Sequence, residues 1–470
     1  MTRRSLGLAL LCAACRVGQE YSEPEVALPP QFSAQESVLD ATETRWWTGF
    51  GDAELELWIA RSIESNRDLR MALERVAEAR AIVEIEGGAA RPSLDAGASF
   101  ARQNQSNNVV GGSFFPRGDS SAHGVGFDAR WELDLFGHTQ RTVEAAQAGY
   151  DATVEDARAT LQRLIAEVAR TYVELRGFDE QLVIVDAHVA ALEDTARLVR
   201  SRVAAGLDDE LAAQRLAGLI ASTRAERPAL ESSRAARAHA LAVLAGAWPA
   251  ETAQTLERGE LPTPPSAIAT GLPIDLLRRR PDIRRAEREL ARAAALSAQA
   301  TTELYPRLSL AASFGWESER LDQLLDTPSR AWRIGPSIVG PLFRSGVIQA
   351  GIRARGAQQT AALAVHEQAV LEALREVEDA LVAFANARRR VVELDAALAA
   401  EARAVELASE RFARGLDDYL GVLDAQRSAL GAAARLSEGR TAHTVAAIAL
   451  YKALGGGWED ALPALATRNE

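Results

Sequence analysis

The sequence predicts a mainly α chain with a membrane β part: a long coiled α-helical barrel continuous with a transmembrane β-barrel built by several chains. Three observations predict it. A heptad register runs from Ala157 through Leu161, Leu164, Val168, Leu175, Leu182, Val185, Leu192 and Val199 to Val203, broken in polarity only at Thr171. The same register returns 209 residues later, from Val370 to Phe412, and both runs end beside Gly-Leu-Asp-Asp, at 206–209 and 415–418. Ahead of each run the period drops to two in paired segments. A 3.5-residue apolar repeat makes helices supercoil against neighbours, and a period of two makes two-faced strands.

Composition narrows the classes. Against 53 Lys and Arg stand 65 Asp and Glu, a net charge of −12 that speaks against a nucleic-acid surface. Aromatics make up only 6% of the chain, which suits narrow helix seams better than a wide globular core. No stretch of 18 or more apolar residues occurs, so no transmembrane helix is expected.

Taken in order, residues 1–14 read as an export leader: Arg3 and Arg4, the apolar run Leu6 to Leu11, then Ala13-Ala14 before Cys15. Small residues followed by Cys resemble a bacterial lipoprotein signal, which implies acylation (palmitate) at Cys15. The alternative is a redox or metal pair made by Cys12 and Cys15. A first repeat is expected over 15–250. It opens with an aperiodic strap to about Thr44 and a helical region from Ala53 to Glu86, ended by Gly87-Gly88 and Pro92.

Strands follow at about 92–104 and 121–136. In the second, Val125, Phe127, Ala129, Trp131, Leu133 and Leu135 share one face, while Asp128, Arg130, Glu132 and Asp134 share the other. A helix over about 138–205 contains no Pro and spans roughly 100 Å at 1.5 Å per residue. Gly206 and Asp208 suit a turn and a cap, and a helix returns over about 208–246. After a Pro-rich linker at 251–280, a second repeat (281–458) predicts strands at about 306–317 and 332–343. Helices at about 346–413 and 417–455 and a tail at 459–470 complete it.

Four strands cannot close a barrel alone, since small closed barrels need about eight. If the apolar faces meet lipid, other chains must supply the remaining staves, and the polar faces line a wet lumen. The alternatives are a soluble sandwich for the strands and a dimeric coiled coil for the heptads.

Several motifs then occur in order along nearly the whole chain. They are Cys15-Arg16-Val17-Gly18 with Tyr21 and Pro24; Trp46-Trp47 with Phe50, Asp52 and Leu55; and Trp131-Glu132-Leu133-Asp134-Leu135-Phe136-Gly137. Leu272 to Asp282, Gly340-Pro341-Leu342-Phe343, Tyr419-Leu420 with Leu423-Asp424-Ala425-Gln426-Arg427, and Tyr451 to Trp458 follow. Together they resemble the TolC/OprM-type outer-membrane factors of tripartite efflux systems, in the NodT-type lipoprotein branch.

The resemblance implies a homotrimer with twelve strands in the outer-membrane lipid, a periplasmic helical tunnel and an equatorial belt. It also implies a periplasmic adaptor (membrane fusion) protein and an inner-membrane RND-type transporter as partners. The implied function is a passive exit duct for drugs, metals or other small molecules. The family's periplasmic gate falls here on Arg411, Phe412, Asp417, Asp418, Tyr419, Leu420 and Asp424. Leu420 would be the apolar constriction, with Arg411, Tyr419 and Asp424 as polar ties and Phe412 replacing a common Tyr. The adaptor-docking tips fall on Arg202, Gly206, Leu207, Asp208 and Asp209, and on Arg414, Gly415 and Leu416. Each of these sets reads equally as helix capping or an ordinary glycine-ended hairpin.

The rival functions are a type I secretion channel and a surface coiled-coil adhesin without a pore. No enzyme, cofactor, metal site or nucleic-acid partner is expected: the six His are scattered, and Gly124-Val125-Gly126 lies in a strand rather than a phosphate loop. Arg278 to Arg280 read as a solvated helix start.

Overall fold

The computed structural model describes residues 17–25, 28–32, 44–104, 119–206, 209–250, 256–417 and 419–459. The leader, Cys15, Leu207, Asp208 and Asp418 lie outside the described residues. The chain divides into two compact units.

One unit comprises Val76–Thr153 and Ala286–His366 with the described residues of the N-terminal segment up to Glu25. It holds four strands: β1 (Ser93–Asn104), β2 (Asp119–Leu133), β3 (Arg307–Ser318) and β4 (Arg330–Val339). They form one antiparallel sheet in the order β1-β2-β3-β4. The register keeps side chains of one kind in rows. Ala96, Phe127, Phe314 and Trp332 align across the sheet on one face. Asp95, Asp128, Ser313 and Arg333 align on the other. In most sheets the apolar face would be covered, yet Leu94 is 71% exposed and Trp332 and Ile338 are both 70% exposed. Among the described residues nothing pairs with the outer edges of β1 and β4.

The strands stop short of the Leu-Phe pairs that the alternation predicted as their ends. After β2 the Asp134 carboxylate accepts from the Gln140 backbone N–H at 2.8 Å and starts the next helix. After β4, Pro341 has no N–H to donate and ends the ladder.

The other unit comprises the described residues of Val26–Arg75, Val154–Arg285 and Glu367–Glu470. Its helices are α1 (Ala53–Ser65), the start of α2 (Arg67–Gly88), most of α3 (His138–Ala204), α4 (Glu210–Leu244) and α5 (Pro273–Arg279). The start of α6 (Pro281–Thr302), most of α7 (Val347–Ala413) and α8 (Tyr419–Ala453) complete it. The single helical region expected over Ala53 to Glu86 is broken at Asn66. Its side chain accepts from Leu69 N–H at 2.9 Å and donates to the Leu244 carbonyl at 2.9 Å, so it caps α2 and ties it to α4.

The heptad residues Leu161, Val168, Leu175, Val370, Ala373 and Val377 are buried. The first two and the last three form a core with Trp46, Ile59, Ile448 and Tyr451, in which Trp46 stacks on Tyr451 at 5.1 Å. Among the described residues no helix is long and apolar enough to cross a membrane.

Candidate gate and docking tips

The described gate and tip residues lie where α3 turns into α4 and α7 turns into α8. Gly206 (φ 71°) and Gly415 (φ 72°) take the left-handed conformation that closes a helix C-terminus. At the second turn the Leu416 N–H reaches the Arg411 carbonyl at 3.0 Å and the Gly415 N–H reaches the Phe412 carbonyl at 2.9 Å. These bonds satisfy carbonyls the helix would otherwise leave orphaned. Leu416 is thereby thrust outward and exposed, and Arg414 lies near Glu410 at 3.8 Å. At the first turn Asp209 caps α4, accepting from Leu211 N–H at 3.2 Å.

Beneath the turns Leu192, Val199, Leu216, Phe412, Tyr419 and Val422 make a small apolar core. The Arg411 guanidinium meets the Asp417 carboxylate at 2.5 Å across the second turn. The hydrogen bond from Arg411 holds that carboxyl below the usual carboxylate range. Asp417 is therefore paired, in addition to standing near the start of α8.

Two residues sit differently from the expectation. Tyr419 is 1% exposed and packs edge-on against Phe412 at 5.4 Å. Burial pushes its hydroxyl up to about 12, and within the chain that hydroxyl donates to Gln426 at 3.5 Å. An apolar seat with one long hydrogen bond suits a core residue better than a surface tie. Phe412 in turn offers its ring to Arg202, whose guanidinium lies 4.6 Å from the centroid. A phenylalanine face supplies that cation–π contact without a hydroxyl. Leu420, 37% exposed, and Asp424 line one recess of about 550 Å³ with Arg215, Leu219 and Arg427. A second recess of about 740 Å³ lies between the end of α3 and the start of α4, bordered by Arg197, Arg200, Glu210 and Arg224. Sequence reasoning missed it, because its charges read as ordinary solvated helix exterior.

Buried charge elsewhere in this unit was also missed. Arg176 meets Glu54 at 2.5 Å, Asp179 at 2.8 Å and the Glu257 carbonyl at 2.8 Å, while Arg234 meets Asp179 at 2.5 Å. This cluster binds α1, α4 and the linker to α3. The solvated reading of Arg278 to Arg280 is corrected at Arg280. It is 6% exposed and held by Asp282 at 2.6 Å, Glu376 at 2.8 Å and the Ala453 carbonyl at 3.0 Å. Two carboxylates and a helix-end carbonyl replace its water. Among the described residues no cluster of His, Cys, Asp or Glu suits a metal ion.

Residues 58–247 and 272–456 match the sequence pattern of the family described as outer membrane efflux protein. The chain is similar to outer membrane protein OprJ of Pseudomonas aeruginosa, 33% identical over 97% of this chain and 96% of that one. It is also similar to nodulation protein T of Rhizobium leguminosarum bv. trifolii, 30% identical over 89% and 90%. Among solved structures it resembles the outer-membrane channel OprN, with a TM-score of 0.88, 33% identity, and coverage of 94% of this chain and 100% of that one.

Proposed function

The chain belongs to the outer membrane efflux protein family, and from that premise we propose that three copies assemble into a passive exit duct for small molecules such as drugs or metal ions. The duct works with a periplasmic adaptor and an energised inner-membrane RND-type transporter. The observation that carries this reading is the open sheet: four strands with bare apolar rows and two unpaired edges. Such a surface is stable when lipid covers the rows and other copies cover the edges. A polar inner face then lines water.

Within the duct, Leu420 narrows the inner end and Arg411 with Asp417 stiffens the turn that presents it. Asp424, in the same recess as Leu420, adds a carboxylate that repeats around the axis and favours cations. Gly206 with Asp209, and Arg414, Gly415 and Leu416, form the surfaces offered to the adaptor. Leu207, Asp208 and Asp418 belong to the same turns by sequence. Anchoring is assigned to Cys15, and Cys15→Ser is expected to abolish acyl labelling in cells; labelling that persists would move the anchor elsewhere.

Planar-bilayer recording on detergent-purified protein tests the function. Measurable conductance that rises in Arg411→Ala and Asp424→Ala is expected. Silence in the parent and both variants would instead favour a pore-free surface adhesin.

A further inference from the structure

The seam between the two hairpins inside the chain is a template for the seam between chains. β2 and β3 pair so that partner numbers total 441, from His123 with Ser318 to Leu133 with Leu308. Phe136 and Tyr305 continue that line past the last ladder pair, and their rings stack at 4.9 Å. The repeat supplies a counterpart for each side. β1 follows Arg91-Pro92 as β3 follows Tyr305-Pro306, a shift of 214. β4 leads to Leu342-Phe343 as β2 leads to Leu135-Phe136, a shift of 207. Carrying the inner seam onto β4 and a following β1 therefore raises the total by 207 and lowers it by 214, to 434.

The counterpart of Phe136 is then Phe343, and the counterpart of Tyr305 is Arg91. Phe136 is half-buried, whereas Phe343 is 87% exposed and Arg91 is exposed. A bare ring and a flat guanidinium at matched positions are the two halves of a cation–π pair.

Two features of the chain bear on this register independently. It sets Ile338 opposite Ala96 and Ile334 opposite Phe100, apolar on apolar, and Ser337 opposite Gly97 on the polar face. An odd slip would turn every side chain to the wrong face. The row Asp95, Asp128, Ser313, Arg333 re-enters the next β1 at Ala101, a stagger of six residues per copy. With a rise of about 3.3 Å and a spacing of about 4.8 Å, that stagger over twelve strands tilts them by roughly 45°. Superposing the repeats on their helix starts instead, a shift of 209, gives a stagger of eight and a tilt of roughly 55°, steeper than such barrels adopt.

Resting on the three-copy reading, we infer that β4 of one copy pairs with β1 of the next in this register, and that Arg91 stacks on Phe343 of the adjoining copy as Tyr305 stacks on Phe136 within each. The test is mild oxidation of the full chain in detergent carrying Ser337→Cys and Gly97→Cys, with each single variant as background. A Cβ at Gly97 meets no heavy atom within 4 Å, so the substitution fits.

Reducible dimers and trimers are expected from this pair. Ser337→Cys with Asp95→Cys or with Ser99→Cys places the thiols on diagonal neighbours about 7–8 Å apart, beyond disulfide reach, and is expected to give background only. A diagonal pair that links as well, or a facing pair that fails to link in an assembled protein, overturns the register. Light scattering on the same samples separates the two readings, because particles of a single copy would sink the three-copy assembly itself.

For the stack, Arg91→Ala and Phe343→Ala are each expected to lower the temperature at which the assembly dissociates. The double variant should fall no further than the worse single one, and fully additive losses would refute the contact.

Discussion

The two long helices are a natural pair for comparison: α3 and α7 each have 67 residues, and α4 and α8 each have 35. Their lengths agree but their loads do not. Along α3 the seam residues Ala157, Leu161, Val168, Leu175, Leu182, Leu192 and Val199 are buried at intervals along its whole length, with Phe178, Val189, Ala196 and Val203 half-buried between them. Along α7 burial is firm from Val370 to Phe384 and then lapses until Phe412, with Val391, Leu394, Leu398 and Val405 only half-buried. On its flanks Leu371, Val382 and Val392 are exposed, against Val183 and Leu198 on α3. A heptad pattern states that a helix has an apolar seam; it does not state who fills it. In α3 the chain's own N-terminal helix and linker cover the surroundings through buried charge. In α7 much of that surface is left for other copies under the three-copy reading.

The sharpest way to break this contrast is at the buried charge. Asp179 is enclosed with Arg176 and Arg234, and its counterpart one repeat later is Arg388. Removing one partner from a buried ion cluster costs about 3–5 kcal/mol, because the remaining charges stay out of water. Asp179→Ala is expected to show a loss of that size in denaturant unfolding. Arg388→Ala, at a half-buried residue whose bond to the Ser266 carbonyl is 3.5 Å long, should cost less than Asp179→Ala. Equal losses would mean that the two helices carry equivalent loads after all.

A smaller loss is expected at the C-terminal clasp, whose sequence counterpart in the first repeat, Trp248, is 77% exposed. Trp458 lies under Arg158 at 4.8 Å and Arg284 at 5.5 Å, and both guanidiniums share the buried Glu155 carboxylate. Its indole N–H donates to the Arg279 and Gly455 carbonyls, each at 3.0 Å. Trp458→Ala should destabilise by about 2–4 kcal/mol, the sum of two partly desolvated cation–π contacts and lost packing. Trp458→Phe, keeping a ring but no donor, should recover about half; no recovery would assign the clasp to the hydrogen bonds alone.

How much of this was readable beforehand differs by kind of interaction. The switch from period 3.5 to period two separated helices from strands, because both follow from side-chain geometry within a single element. The shared Gly-Leu-Asp-Asp turns marked the tips for the same reason. What could not be read is contact between elements far apart in number. Nothing in the neighbourhood of Arg176 says that Glu54 and the Glu257 carbonyl will close on it, and Arg280 looks like its two arginine neighbours. Phe412 shows the same limit. Its departure from Tyr reads as a lost hydroxyl until the fold sets Arg202 on its face.

The tips differ in stiffening: at the second Arg411 pairs with Asp417 across the turn, whereas at the first Asp209 caps α4 and Arg202 rests on the Phe412 ring. Arg411→Ala should raise channel conductance while leaving the unfolding midpoint nearly unchanged, since the pair is solvent-exposed and such pairs contribute little to stability. A conductance unchanged beside a lowered midpoint would reassign the pair from gating to folding.

The smallest expected effect concerns the first residue of each long helix, His138 against Val347. His138 Nδ1 lies 2.9 Å from Thr302 Oγ1, whose own hydroxyl donates to the Gln299 carbonyl at 2.6 Å, so Nδ1 carries the proton. Nε2 lies 3.1 Å from Arg307, which can only donate, so Nε2 must be an unprotonated acceptor. Burial and then Arg307 lower the imidazole's affinity for a second proton, against the weaker pull of Glu132, Asp134 and Glu303. A folded pKa below the unfolded value of about 6.5 means stability is complete above that pH. It declines as pH falls through 6.5 and levels off below the folded pKa, where both states are protonated. His138→Gln, which cannot ionise, should flatten the loss of unfolding midpoint between about pH 7.5 and 5 without abolishing it. His188 and His443 are lowered by burial as well and keep part of the slope. An unchanged slope in the variant would show that the junction at His138 tolerates the added charge.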